Sequence, residues 1–86
     1  MGSCTLWLYD PANGLPMGLR VSPDLAGAKT SHKLQPGDEF LVDRQLVGGD
    51  GVTYLHTADD RGWAYVSDIV GTRMCVFSKA CVLINL

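Results

Sequence analysis

The chain has 86 residues and a mass of 9.3 kDa, room for one small domain and nothing more. A hydrophobic share of 47% with 19% charged residues excludes a disordered polar chain. The net charge of −2 and isoelectric point near 5.4 argue against a nucleic-acid binder that works by neutralising phosphates. The longest uncharged apolar run, residues 80–86 with Asn85 inside it, is too short to span a bilayer.

Eight of the nine acidic residues are aspartates, and Glu39 is the only glutamate. Aspartate prefers turns because its carboxylate competes for backbone N–H groups, whereas glutamate favours helix. With ten glycines and four prolines, the composition reads as short strands joined by tight turns. The three cysteines, Cys4, Cys75 and Cys81, form no closed disulfide framework and lack zinc-site spacing. They are expected to be buried apolar thiols in a reducing compartment. No basic cluster precedes an apolar stretch at the N-terminus, so no signal peptide is visible and a cytoplasmic location is expected.

Residues 5–9 form a β-prone stretch with Leu6 and Leu8 on one face and Trp7 and Tyr9 on the other. Asp10-Pro11-Ala12-Asn13-Gly14 turns the chain, residues 19–22 are a short second strand stopped by Pro23, and residues 24–31 read as a loop. A brief strand over 32–34 precedes the Gln35-Pro36-Gly37-Asp38 turn. Residues 39–47 then alternate, with Phe40 and Val42 on one side and Leu41 and Asp43 on the other. Gly48-Gly49-Asp50-Gly51 is a hairpin connection to a strand over 52–57, and Asp59-Asp60-Arg61-Gly62 a second one to a strand over 63–66. Residues 67–70 suit one turn of 3₁₀ helix. Residues 72–86 contain neither glycine nor proline, yet as a helix they would be apolar on nearly every face. Two short strands, about 74–77 and 81–84, are expected instead. The sum is about five to seven short strands at close spacing, the pattern of a small all-β barrel or sandwich.

Several of these segments resemble bacterial-type SH3 domains. Leu34-Gln35-Pro36-Gly37-Asp38-Glu39-Phe40-Leu41-Val42 is similar to the stretch that leads into their central strand, and Gly62-Trp63-Ala64-Tyr65-Val66 to their Gly-Trp strand after a hairpin. Leu19-Arg20-Val21-Ser22-Pro23 is similar to their opening strand, with the Arg and Val order inverted. Leu8-Tyr9-Asp10 faintly resembles the start of eukaryotic signalling SH3 domains. Tyr54 stands where family members commonly carry tryptophan. The likeness spans about residues 5–77 of a single domain over 1–86, leaving 78–86 as an extra apolar strand. It implies an SH3-like barrel that binds an extended peptide or a cell-wall-like glycan without catalysis.

Flat rings bury area at low entropic cost, so small barrels bind ligands on aromatic platforms between loops. If Leu6 and Leu8 fill the core, Trp7 and Tyr9 point outward, and Tyr9, Tyr54, Trp63 and Tyr65 could line a ligand groove. The alternative is that one or more of these rings closes the barrel end. Asp59 and Asp60, adjacent in a turn, point into water rather than across a scissile bond. His32 and His56 are expected as surface or strand histidines, with no nucleophile elbow nearby. Gly48-Gly49-Asp50-Gly51 lacks the lysine of a phosphate loop. No catalytic residue, metal site or cofactor is expected. The tail, 80–86, either completes the core or leaves an apolar edge that docks on a partner or pairs into a homodimer.

Overall fold

The computed structural model describes residues 2–84, with side chains over 3–80. Seven strands make up the fold: β1 (Gly2–Tyr9), β2 (Met17–Arg20), β3 (Lys29–Leu34), β4 (Glu39–Val47), β5 (Thr53–Thr57), β6 (Trp63–Tyr65) and β7 (Cys75–Ile84). Every pairing is antiparallel, in a single sheet of order β3-β2-β6-β5-β4-β1-β7. The fold is all-β, as the turn-rich composition implies. Among the described residues, no helix is long and apolar enough to cross a membrane.

The sheet curls on itself. A flat sheet is about 10 Å thick, whereas the molecule measures 36 × 25 × 23 Å. Two features produce the curvature. At Val42–Arg44 the register of β4 against β5 shifts, so Val42 faces Thr57 while Arg44 faces His56, and Asp43 is the extra residue of a bulge. The first half of β4 therefore pairs with β1 (Thr5↔Val42, Trp7↔Phe40) and the second half with β5. Closure comes at Val66, just past β6, whose carbonyl accepts the N–H groups of Met74 and Cys75 at 2.9 and 3.1 Å. The last strand thus meets the end of the central meander, giving a small barrel-like architecture.

Inside sit Trp7, Tyr9, Met17, Leu19, Leu34, Phe40, Val42, Leu55, Ala64, Met74 and Cys75. This reverses the expected facing of β1: Trp7 and Tyr9 turn inward, and Leu6 and Leu8 are only half-buried. Both faces of this strand are apolar, so the partner decides. Phe40 and Val42 lie opposite Trp7 and Thr5 and are themselves buried in the interior. In place of the two strands expected over 74–77 and 81–84, residues 75–84 run as one strand against β1, from Tyr9↔Cys75 to Gly2↔Ile84, with register shifts between Phe77 and Lys79 and between Lys79 and Val82. Asn85 and Leu86 lie outside the described residues. Residues 67–70 form a turn rather than 3₁₀ helix. There the Asp68 carboxylate accepts from the N–H groups of Val70 and Thr72. The 24–31 loop gives up Lys29 to Ser31 to β3, which pairs with β2 from Arg20↔Lys29 to Met17↔Leu34.

Two glycines are needed by the backbone. Gly37, at φ 94°, follows Pro36 in a turn closed by the Asp38 N–H to Gln35 carbonyl bond of 2.9 Å. Gly62, at φ 143°, lies so close to β2 that a Cβ would stand 2.8 Å from the Arg20 carbonyl oxygen. This contact explains why glycine precedes Trp63. Replacing Gly62 with alanine forces both an unfavourable φ and a backbone clash, with an expected loss of about 3 kcal/mol. Urea unfolding of the Gly62→Ala variant checks this, and an unchanged midpoint would refute the close approach.

Candidate functional site

Strands β5 and β6 place alternate residues on opposite faces. Leu55 and Ala64 point into the main core, so Tyr54 and His56 on β5 share the other face with Trp63 and Tyr65 on β6. The register pairs Tyr54 with Tyr65 and His56 with Trp63. Three of the four expected groove residues are therefore brought together. Tyr9 belongs to the main core instead, where its hydroxyl donates to the Leu15 carbonyl, and Tyr65 packs against both clusters.

The cluster is closed rather than open. Tyr9 is 0% exposed, Tyr54 1% and Trp63 9%; only Tyr65 is half-buried. The loop between β2 and β3 covers the rings: Leu25 packs on them and its N–H donates to the Tyr54 hydroxyl at 3.2 Å. Arg20 braces that loop by donating to the Gly27 carbonyl at 2.9 Å. These rings form a second, smaller core between meander and loop, not a free platform. Such a core follows from size, since a short chain must use its large aromatics for burial.

Polar groups lock the same face. The Tyr54 hydroxyl donates to Asp50 Oδ2 at 2.7 Å, while Asp50 Oδ1 accepts from the Val52 N–H at 2.9 Å. These bonds, the Val52 N–H first, hold the Asp50 carboxyl below its ordinary value, and burial pushes the Tyr54 phenol up. His56, 6% exposed, lies with Nδ1 2.7 Å from Asp43 Oδ1 and Nε2 3.0 Å from Asp60 Oδ1. Both neighbours are acceptors, so a single ring N–H serves one of them and the doubly protonated ring serves both. The imidazole also meets Trp63 edge to face at 4.9 Å, and the Arg44 guanidinium lies 5.3 Å from the Trp63 ring centre. Asp60 reaches its histidine from a left-handed backbone conformation, φ 62°.

Alternation along β5 could have placed His56 beside Tyr54. Its Asp43 partner could not be read from sequence, because the β4 bulge aims that carboxylate. Asp59 contacts Arg61 at 2.7 Å and Asp60 contacts His56, so the two adjacent aspartates face different partners and form no pair. Cys4 and Cys75 are buried free thiols, and burial pushes Cys75 up to about 12. The side chain of Cys81 lies outside the described residues. No group of three His, Cys, Asp or Glu side chains among the described residues is arranged to hold a metal ion.

The accessible surface lies elsewhere. Strand β7 ends the sheet order, and Phe77, 52% exposed, leans on the edge of Trp7 with ring centres 5.5 Å apart. An open cleft of about 380 Å³ lies over β1, β4 and the turn after β5, with the apolar Leu6, Phe40, Leu41 and Ala58 and the charged Glu39, Asp59 and Arg61 lining it.

Two outcomes check the closed reading. Tyr54→Ala and Trp63→Ala should each cost about 3–5 kcal/mol of stability by removing a buried ring; melting temperatures within a degree of the parent would instead mark them as surface groups. The second outcome is acid sensitivity. The Asp50 and Asp68 carboxyls are held below their ordinary 3.8, Asp68 chiefly by the Thr72 N–H. Their stabilising contribution is present above that value and lost as pH falls through the depressed folded values. Melting temperature should therefore drop below about pH 4, and the Asp50→Asn variant should show a shallower drop. A variant profile parallel to the parent's would refute the role of that carboxylate.

Compared with known proteins, the chain matches no protein-family model, no curated protein and no solved structure.

Proposed function

We propose that the protein is a non-catalytic interaction module that takes an extended polypeptide segment on the free edge of β7, by strand addition. The observation that carries this reading is the character of that edge. Strand β7 is ten residues long, ends the sheet and contains a single charged residue, Lys79. An unpaired edge presents a row of N–H and C=O groups, and a partner strand gains main-chain hydrogen bonds there. The other edge, β3, carries Lys29, His32 and Lys33 within six residues, the charged guarding that discourages strand addition. The likeness to bacterial-type SH3 domains agrees with a binding role. The aromatic groove over Tyr9, Tyr54, Trp63 and Tyr65 has less in its favour, because a peptide or glycan would first have to displace the β2–β3 loop.

A fluorescent, end-capped peptide with the sequence of residues 76–84, its cysteine replaced by serine, serves as the extended probe. It should bind with a dissociation constant in the range of about 10–100 μM. The same peptide N-methylated at alternate residues should bind at least about tenfold more weakly, since strand addition depends on main-chain N–H groups. Equal binding of the two peptides, or binding of neither, would overturn the reading.

A further inference from the structure

We infer that the proton on His56 controls the β5–β6 turn and, through it, one wall of the cleft over β1 and β4. With both ring nitrogens protonated the ring holds Asp60; with one proton lost it releases Asp60, and the turn rearranges. The side chain has the geometry of a two-armed clamp. His56 is 6% exposed, with Asp43 Oδ1 2.7 Å from Nδ1 and Asp60 Oδ1 3.0 Å from Nε2. An ionised carboxylate only accepts, so both contacts are hydrogen bonds only when each ring nitrogen carries a proton. Once one proton leaves, a nitrogen lone pair faces a carboxylate oxygen, and that contact turns repulsive.

Which arm lets go follows from the backbone. Asp43 is the bulge residue of β4, between Val42 and Arg44, which are both paired with β5, and its side chain is 38% exposed. Asp60 lies in the turn with its side chain 90% exposed. At φ 62° it is the one residue other than glycine with a positive φ among the described residues. That conformation is disfavoured for a residue with a Cβ. Among the described residues, the ring is also the one hydrogen-bond partner of the Asp60 carboxylate. The remaining proton therefore stays on Nδ1, toward Asp43, and Asp60 leaves. The Arg61 and Gly62 N–H groups still donate to the Thr57 hydroxyl at 2.8 and 3.2 Å, so the base of the turn stays in place.

The surrounding charges act in the same direction. The ring is faced by Asp43 and Arg44 from β4, by Asp60 from the turn and by the edge of Trp63 from β6. The nearby Asp59 is engaged with Arg61, and Asp50 and Asp24 act on Tyr54. A doubly protonated ring and Arg44 balance the two carboxylates; a neutral ring leaves one negative charge over, beside the arm that is free to move. Asp59 and Arg61 flank Asp60 and line the cleft together with Ala58. A change in the Asp60 backbone thus re-aims two charged side chains at that wall.

Nuclear magnetic resonance of the full chain between about pH 5 and pH 8 reads the ring and the turn together. Both ring nitrogens should carry a proton at the acid end, and Nδ1 alone at the alkaline end. The coupling between the amide and α protons of Asp60, which follows φ, should change in step with the ring. Asp60→Asn supplies an amide that accepts from a protonated Nε2 and donates to a bare one, so the coupling at position 60 should lose its pH response while the ring still titrates. Asp60→Gly, suited to the positive φ, should abolish the matching shift of the Asp59 and Arg61 amides, and it stands in if the asparagine variant fails to fold. His32→Gln, on β3, should leave the whole response intact. An Asp60 coupling that stays constant while the ring loses its proton, a ring whose protonation does not change over the range, or an alkaline-end proton on Nε2 overturns the inference. So does a response that persists in the folded Asp60 variants or vanishes in His32→Gln.

Discussion

The structure depends on one backbone contact, the meeting of Val66 with Met74 and Cys75. A seven-stranded antiparallel sheet this small cannot bury both faces if it lies flat. By curling until the segment after β6 reaches the start of β7, it encloses one face and makes an interior for Trp7, Tyr9, Phe40 and Leu55. The radius of gyration, 12.1 Å, matches the value of about 12 Å for a compact domain of this length. The same contact divides β7 in two: its first residues complete the barrel, and the rest extends along β1 as an edge.

Closure also explains where the aromatic residues went. The main core takes Trp7 and Tyr9, and the reverse face of the β5–β6 hairpin must be covered separately. The β2–β3 loop does so, and Tyr54 and Trp63 become the floor of a second core. Burying tyrosine hydroxyls and a histidine ring requires partners for their polar atoms. Asp50 with the Leu25 N–H, the Leu15 carbonyl, and the Asp43–Asp60 pair around His56 supply them. The ionisable groups on this face thus serve packing. The Arg44 guanidinium over Trp63 completes the cover with a side chain that remains largely in water.

The two edges of the sheet differ in chemistry. Lys29, His32 and Lys33 lie along β3, whereas β7 has one lysine in ten residues. Bare edges invite pairing, and small folds ordinarily blunt them with charge, proline or bulges. On β7 charge is sparse, and the irregularity lies instead in its register with β1, which shifts between Phe77 and Lys79 and between Lys79 and Val82.

The strands from Glu39 to Tyr65 were legible in the residues themselves. Gly48-Gly49-Asp50-Gly51 and Asp59-Asp60-Arg61-Gly62 admit little but tight turns, and the segments between them alternate in the way a sheet requires. Only tertiary structure could decide which face of β1 goes inside, because Leu6 and Leu8 are as apolar as Trp7 and Tyr9 and alternation is symmetric under exchange of faces. The continuity of β7 was likewise invisible, since a strand this long is sustained by its register with Gly2 through Tyr9 and not by local propensity. The His56 clamp depended on a bulge that places Asp43 out of step with its neighbours. Local sequence determined where the chain extends and where it turns; contacts between segments distant along the chain determined which side of each extended segment is buried.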